Sequence, residues 1–313
     1  MKPIQITGRG VYLPKLTHSN DTLPPLDKPP TQAQLDRLGV QSRGWAGSDE
    51  GVAEMGSFAA ESALKRAGVL AADIDLLILA NWTQRVYIPE FAPKVQKLLG
   101  ARKAFAFDVS GACAGFVNGV AMAHHFLQNP RYERALIVAS ETLSRRAKPG
   151  SRSTLVYGDA AAAWVLERDS KRGSRLIDYE LVSDGDYHHF MGVDDEGFVE
   201  THVPQVELNA LAANSFAQVS RMLLERNQMS LADVTWVVPH SGTEGIQAAL
   251  VQTLEVPEGK VLSNFRSVGN VSSAAIPVSL EHFIDAGKIR PGDVILSPTA
   301  GTGWYYAAML YQV

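Results

Sequence analysis

The chain of 313 residues has a single cysteine, so no disulfide can form within it and no pair of thiols can hold a metal or a redox couple. It has no run of about 18 apolar residues, the length a membrane-spanning helix requires. It has no excess of basic residues. Lys and Arg number 29 against 33 Asp and Glu, a formal charge of −4, which leaves no overall positive field to attract nucleic acid. The opening segment, Met1 to Pro14, lacks the charged start, apolar stretch and small-residue cleavage site of a secretory signal. A cytoplasmic enzyme without membrane or nucleic-acid partner, metal or resident cofactor is expected.

What is present begins with a composition of 46% hydrophobic and 20% charged residues, that of a folded globular protein long enough to bury a core without cross-links. The chain also repeats itself. Phe107-Asp108-Val109-Ser110-Gly111 returns 158 residues later as Phe265-Arg266-Ser267-Val268-Gly269, and His125-Phe126-Leu127 returns as His282-Phe283-Ile284. Leu70 to Ile74 resembles Leu231 to Val234, and Ala135 to Ser140 pairs with Asp293 to Ser297. Matches in one order at a nearly constant offset indicate two similar halves, residues 1–165 and 166–313.

Within each half the pattern reads as an amphipathic helix (Glu54 to Ala67; Ala212 to Arg226), then a short apolar run (Asp75 to Ala80; Val234 to Pro239). A helix of small residues and a further apolar run (Ala135 to Ala139; Val294 to Leu296) follow. Short aliphatic runs bounded by turn residues and separated by helices read as buried strands, so each half is α/β. The Gly- and Ala-rich helix after Gly111 can approach other backbones closely and is expected at the centre, against its twin from Ser272 to Asp285.

The lone thiol, Cys113, lies where the strand Ala104 to Val109 turns into that helix. A small hydrophobe buried among Gly and Ala would read the same way, but a helix N-terminus lowers a thiol pKa and raises the thiolate population a nucleophile needs. His240 follows the apolar run Trp236 to Pro239, just past the end of a buried strand, where α/β sheets place ligands; a surface histidine after a proline is the plainer reading. Asn270 lies between a strand and a helix, as an N-cap would. At the 158-residue offset it falls opposite Ala112.

These segments together resemble ketoacyl-acyl-carrier-protein synthase III, a condensing enzyme of the thiolase-like superfamily, over essentially the full length. The likeness runs from Gly8-Arg9-Gly10-Val11 through Cys113 and Tyr157-Gly158-Asp159-Ala160 to Gly269-Asn270 and Gly301-Thr302-Gly303. It implies a five-layer α-β-α-β-α fold of two duplicated halves, and a homodimer. It further implies that Cys113 takes an acyl group from acyl-CoA or acyl carrier protein. His240 and Asn270 would then hold a malonyl thioester carbonyl during decarboxylative condensation, and backbone at Thr302 and Gly303 would face the oxyanion. Arg37 and Arg152 match the coenzyme-binding arginines. Trp82, Tyr87 and Ile88 fall in the segment that lines the partner's acyl pocket.

The chain departs from that family at several points. Thr243 stands where Asn is usual and Gly245 where Arg is. Ala33 replaces the adenine-stacking Trp, and Ala300 an aromatic. These changes spare Cys113, His240 and Asn270, as expected of a member specialised for polyketide, alkylquinolone or other secondary pathways. Acyl transfer to an alcohol or amine without decarboxylation, and a non-catalytic subunit of a heterodimer, are the alternatives.

Overall fold

The computed structural model describes residues 2–313 apart from Tyr87, with Glu258 described by its backbone alone. Its main sheet contains β1 (Ile4–Tyr12), β2 (Leu76–Ala80), β3 (Phe105–Val109), β4 (Arg134–Thr142), β5 (Asp159–Arg168), β6 (Ser174–Ser183), β7 (Trp236–Val237), β8 (Val294–Gly301) and β9 (Tyr305–Gln312). They lie in the order β7-β8-β9-β6-β1-β5-β4-β2-β3. The longer helices are α1 (Val52–Ala67), α2 (Ala92–Leu99), α3 (Gly115–Gln128), α4 (Gln205–Arg226), α5 (Glu244–Leu254) and α6 (Ala275–Asp285). None is long and apolar enough to cross a membrane.

The sheet divides between β1 and β6, which pair only through Gln5 with Arg175 and Ile6 with Ser174. On one side β1 and β4 flank β5 antiparallel, and β2 runs parallel to β4. On the other, β6 and β8 flank β9 antiparallel, and β7 runs parallel to β8. One arrangement is thus used twice. The run Leu76–Ala80 is buried at every position because both faces of the sheet are covered. Its alternate side chains point to opposite faces: Leu77 and Leu79 join a core beneath α1 and α2, while Leu76 and Ile78 join the central core with Phe116 of α3 and Val278 of α6. A third core sets Phe216 of α4 and Leu250 of α5 against Leu296 and Leu310. Helix, sheet, helix, sheet and helix therefore succeed one another, as the five-layer expectation held.

Close packing explains the Gly8-Arg9-Gly10 motif. A Cβ on Gly8 would lie 2.2 Å from the carbonyl oxygen of Ala63, and one on Gly10 2.2 Å from that of Ala59, so β1 meets the backbone of α1 directly. The small residues of α3 act alike, with Gly115, Gly119, Ala121 and Ala123 all buried.

The internal repeat is spaced differently around the elbows than the 158-residue offset suggests. A 3-10 turn, Ala112–Ala114, precedes α3, and another, Ser272–Ala274, precedes α6, a spacing of 160 residues by their numbers. Ala112 and Ser272 share the left-handed backbone, with φ of 47° and 51°. Cys113 is therefore the counterpart of Ser273, and Asn270 that of Ser110 rather than Ala112. Moreover, Phe265–Val268 is a helical turn, whereas Phe107–Val109 is strand. Its backbone is held by Gln41 N and Ser42 Oγ, which donate to the carbonyls of Arg266 at 2.8 Å and Ser267 at 2.9 Å.

Candidate active site

Cys113 sits at the tip of α3, in the 3-10 turn that continues into the helix. The end of β8 presses against this elbow. A Cβ on Gly301 would lie 2.8 Å from Cys113 N and 2.8 Å from the Gly111 carbonyl oxygen. Two residues earlier, Thr299 Oγ1 donates to the Cys113 carbonyl at 3.2 Å. On the same strand Pro298 accepts from His240 N at 3.0 Å. The second half thus contributes both the floor beneath the elbow and the loop bearing His240.

Asn270 is fixed through its backbone between halves. Its N–H donates to Val156 at 2.7 Å and its carbonyl accepts from Gly158 at 2.9 Å, a bridge that places it beside Tyr157. Its Oδ1 accepts from Ser272 N at 2.9 Å, which leaves Nδ2 as a free donor among the described residues. A Cβ on Gly242 would lie 3.0 Å from that Nδ2, so the segment following His240 runs past the amide. Ser272 joins Asn270 to the thiol: its N–H serves the amide while its Oγ donates to Cys113 Sγ at 3.5 Å.

Burial sets the electrostatics. His240 is 6% exposed, and desolvation pulls its imidazole down to about 4, so the ring is neutral near pH 7 and its Nδ1 has no hydrogen-bond partner. The expected ionised thiol is corrected. Cys113 is partly exposed, yet desolvation by the dense surroundings pushes its thiol up to about 12, with Ser272 opposing the shift and Glu141 adding to it. The helix tip does not outweigh lost hydration here.

The supporting residues that the sequence reading passed over lie opposite. Glu141, at the end of β4, is fully buried, and desolvation raises it to about 7. Its Oε1 accepts from Ser273 Oγ at 2.6 Å, and its Oε2 accepts from Thr83 Oγ1 at 2.8 Å and from the N–H groups of Trp82 and Thr83 at 3.3 Å. Trp82 Nε1 donates to Ser272 Oγ at 2.7 Å. An indole N–H beside an apolar strand needs a partner, and that requirement was the one sequence cue to this network.

Among the described residues no hydrogen bond joins the outer candidates to the thiol. Thr302 directs its hydroxyl to Met191 Sδ, 3.9 Å away, and a Cβ on Gly303 would meet the Tyr305 ring at 2.8 Å; among these residues it is Gly301 that reaches the elbow. Arg37 is exposed on the helix Gln32–Leu38 and donates to the Ala33 carbonyl at 3.3 Å. Arg152 is exposed and edges a hollow of about 270 Å³ with Asp27, Lys28, Gly150 and Ser151. Neither arginine makes an ion pair among the described residues. Thr243 caps α5, accepting from Ile246 N at 3.5 Å. Ile88 is 85% exposed, and Tyr87 lies outside the described residues. A second hollow, of about 520 Å³, is lined by Asn81, Gln84, Arg85, Val86, Glu90, Phe91 and Asp108; neither hollow contains Cys113, His240 or Asn270.

Comparison with known proteins places this arrangement. Residues 107–185 match the family described as 3-oxoacyl-[acyl-carrier-protein] synthase III, and residues 224–313 match its C-terminal part. The β-ketoacyl-[acyl-carrier-protein] synthase III of Nostoc sp. is 31% identical, across 99% of this chain and 98% of the relative. The crystal structure of the 3-oxoacyl-[acyl-carrier-protein] synthase III of Aquifex aeolicus superposes with a TM-score of 0.92 at 32% identity, covering 99% of this chain and 100% of that one. A priming β-ketosynthase of a polyketide pathway superposes with a TM-score of 0.89 at 27% identity, covering 100% and 96%.

Proposed function

Because this chain belongs to the 3-oxoacyl-[acyl-carrier-protein] synthase III family of condensing enzymes, we propose that Cys113 carries the acyl group and that His240 and Asn270 serve the malonyl thioester. The observation that carries this reading is Ser272, whose two hydrogen bonds bring the Asn270 amide and the Cys113 sulfur to one point.

In the loading step the Cys113 S–H proton passes to the neutral imidazole of His240 as sulfur attacks the carbonyl of an acyl-CoA or acyl-carrier-protein thioester. A new S–C bond forms, the old one breaks, and the departing thiolate recovers the proton. A thiol held up to about 12 and an imidazole held down to about 4 favour the neutral pair at rest, so the proton moves with the chemistry instead of before it.

In the second step a malonyl thioester loses carbon dioxide. The electron pair of the broken C–C bond becomes an enolate, whose oxygen takes hydrogen bonds from Asn270 Nδ2 and the His240 ring. Such donors, aimed where charge develops, contribute roughly 3–4 kcal/mol each. The enolate carbon then attacks the Cys113 thioester, and sulfur leaves as a thiolate that takes a proton from water to restore the neutral thiol. The Cys113 N–H, with backbone of the Gly301 to Gly303 turn, faces the oxyanion of that step.

Arg37 and Arg152, exposed and without an ion pair among the described residues, suit the phosphates of a coenzyme arm, and Thr243 the pantetheine. Ala33 in place of an aromatic supports a reduced reliance on the adenine and a specialised primer. A homodimer is supported by β3, an edge strand with β2 as its one partner and with Phe105 55% exposed, an apolar edge that a second copy would cover.

Intact mass after incubation with a panel of acyl-CoA thioesters tests the reading. A thioester adduct is expected on the wild type and none on Cys113→Ala; an adduct surviving that substitution would overturn it. Added malonyl thioester should then release carbon dioxide, whereas acyl transfer without release would mark an acyltransferase.

A further inference from the structure

The donor nearest the reactive sulfur is a hydroxyl from the other half of the molecule. Ser272 Oγ donates to Cys113 Sγ at 3.5 Å while accepting from Trp82 Nε1 at 2.7 Å. A serine hydroxyl has one proton and two acceptor positions. With the indole N–H occupying an acceptor position, the hydroxyl rotor is set and its one proton points at the sulfur.

The relay is braced from behind. Glu141 binds the N–H of Trp82 through one oxygen and the hydroxyl of Ser273, the next residue after Ser272, through the other. One carboxyl group therefore holds Trp82 and the residue that follows Ser272. The backbone of Ser272 is left-handed, φ 51°, a conformation costly for a non-glycine residue and here part of the turn that aims Oγ across the gap between halves.

From this geometry we infer that Ser272 is a catalytic residue of the thiol chemistry, a hydrogen-bond donor to the Cys113 sulfur whose orientation Trp82 fixes. The inference rests on the proposed role of Cys113. When the S–H proton leaves, negative charge gathers on sulfur and the Ser272 bond becomes charge-assisted, about twice as strong as a neutral one. The same bond acts again when the sulfur departs from the acyl group after carbon–carbon bond formation. No proton need leave Ser272 in either direction. Three titratable groups share the surroundings: Glu141 and Tyr157, which interact electrostatically with the thiol, and the neutral His240.

Alkylation of Cys113 by iodoacetamide, in which an S–C bond forms as iodide leaves, reads the thiolate population without needing any turnover. On the rising limb near pH 8, Ser272→Ala should react about ten- to a hundredfold more slowly than wild type, one to two pKa units on the thiol. Its rate profile should be displaced toward higher pH with unchanged slope. Trp82→Phe, which keeps the ring and loses the N–H, should slow alkylation by a smaller factor. In the double variant it should add nothing to Ser272→Ala. If Ser272→Ala does not fold, Trp82→Phe decides alone. Rates equal to wild type, or faster, in the folded variants would overturn the inference. Acyl loading of the wild type is read separately by mass. A missing adduct would remove Cys113 as acyl carrier, whereas an adduct with unaltered alkylation would remove only Ser272.

Discussion

Gly301 stands directly beneath Cys113: a side chain begun at residue 301 would place its first carbon 2.8 Å from the Cys113 N–H nitrogen. The elbow and the end of β8 meet backbone to backbone there. That contact couples the Cys113 elbow of one half to the strand that anchors His240 in the other.

Gly301→Ala should therefore displace the elbow. Overpacking of this kind costs about 1–3 kcal/mol, visible as a lower Tm, and a shift of the sulfur should slow acyl loading about a hundredfold. A variant that loads at the wild-type rate would show that the elbow tolerates the methyl group.

Asn270→Ala should separate the two half-reactions. Loading, measured by adduct mass, should stay within about tenfold of wild type, while carbon dioxide release from a malonyl thioester should fall about 10²–10³-fold. His240→Ala should impair both steps, because it removes the proton acceptor of loading together with an enolate donor. Equal losses in both steps from Asn270→Ala would place that amide in general support of the pocket instead.

Glu141→Gln should alter stability with pH in a defined direction. Burial raises the carboxyl from 4.5 to about 7, so its contribution is full below about pH 4.5 and is lost as pH rises through 7. The amide does not titrate. The Tm of the variant should therefore rise relative to wild type between pH 4.5 and 8, a swing of up to about 3 kcal/mol. A difference independent of pH would mean that the carboxyl keeps one protonation state throughout. His240, pulled down from 6.5 to about 4, gives the opposite slope over pH 4 to 6.5, and in the wild type the two largely offset each other where their windows overlap.

Phe105→Asp should weaken self-association. A charge on the exposed edge of β3 opposes strand pairing, and size-exclusion should show a smaller species than wild type. Unchanged elution would move the interface elsewhere.

Much of the architecture was legible because strands such as Leu76–Ala80 are apolar at every position, and that pattern recurs at matched intervals. The elbows were less so. Phe265–Val268 echoes Phe107–Ser110 in letters but coils into a helical turn, since Gln41 and Ser42, remote in sequence, take up its carbonyls. Cys113, His240 and Asn270 could be picked out as candidates from their neighbours. The protonation of the thiol could not, because it depends on desolvation and on Glu141, both products of the assembled core. Ser272 escaped notice because a serine after Asn270 is an ordinary turn residue until its hydroxyl is seen to cross to the other half.

The doubled architecture also makes the two elbows unequal. At the 160-residue spacing Cys113 matches Ser273 and Gly301 matches Glu141, whose carboxyl clasps the serine hydroxyl. Gly301 has no side chain to offer, and the Cys113 elbow settles onto its bare backbone. One elbow is thus tied down through an acid and a hydroxyl and its twin through main chain alone, which leaves the Cys113 sulfur without a carboxyl group hydrogen-bonded to it among the described residues.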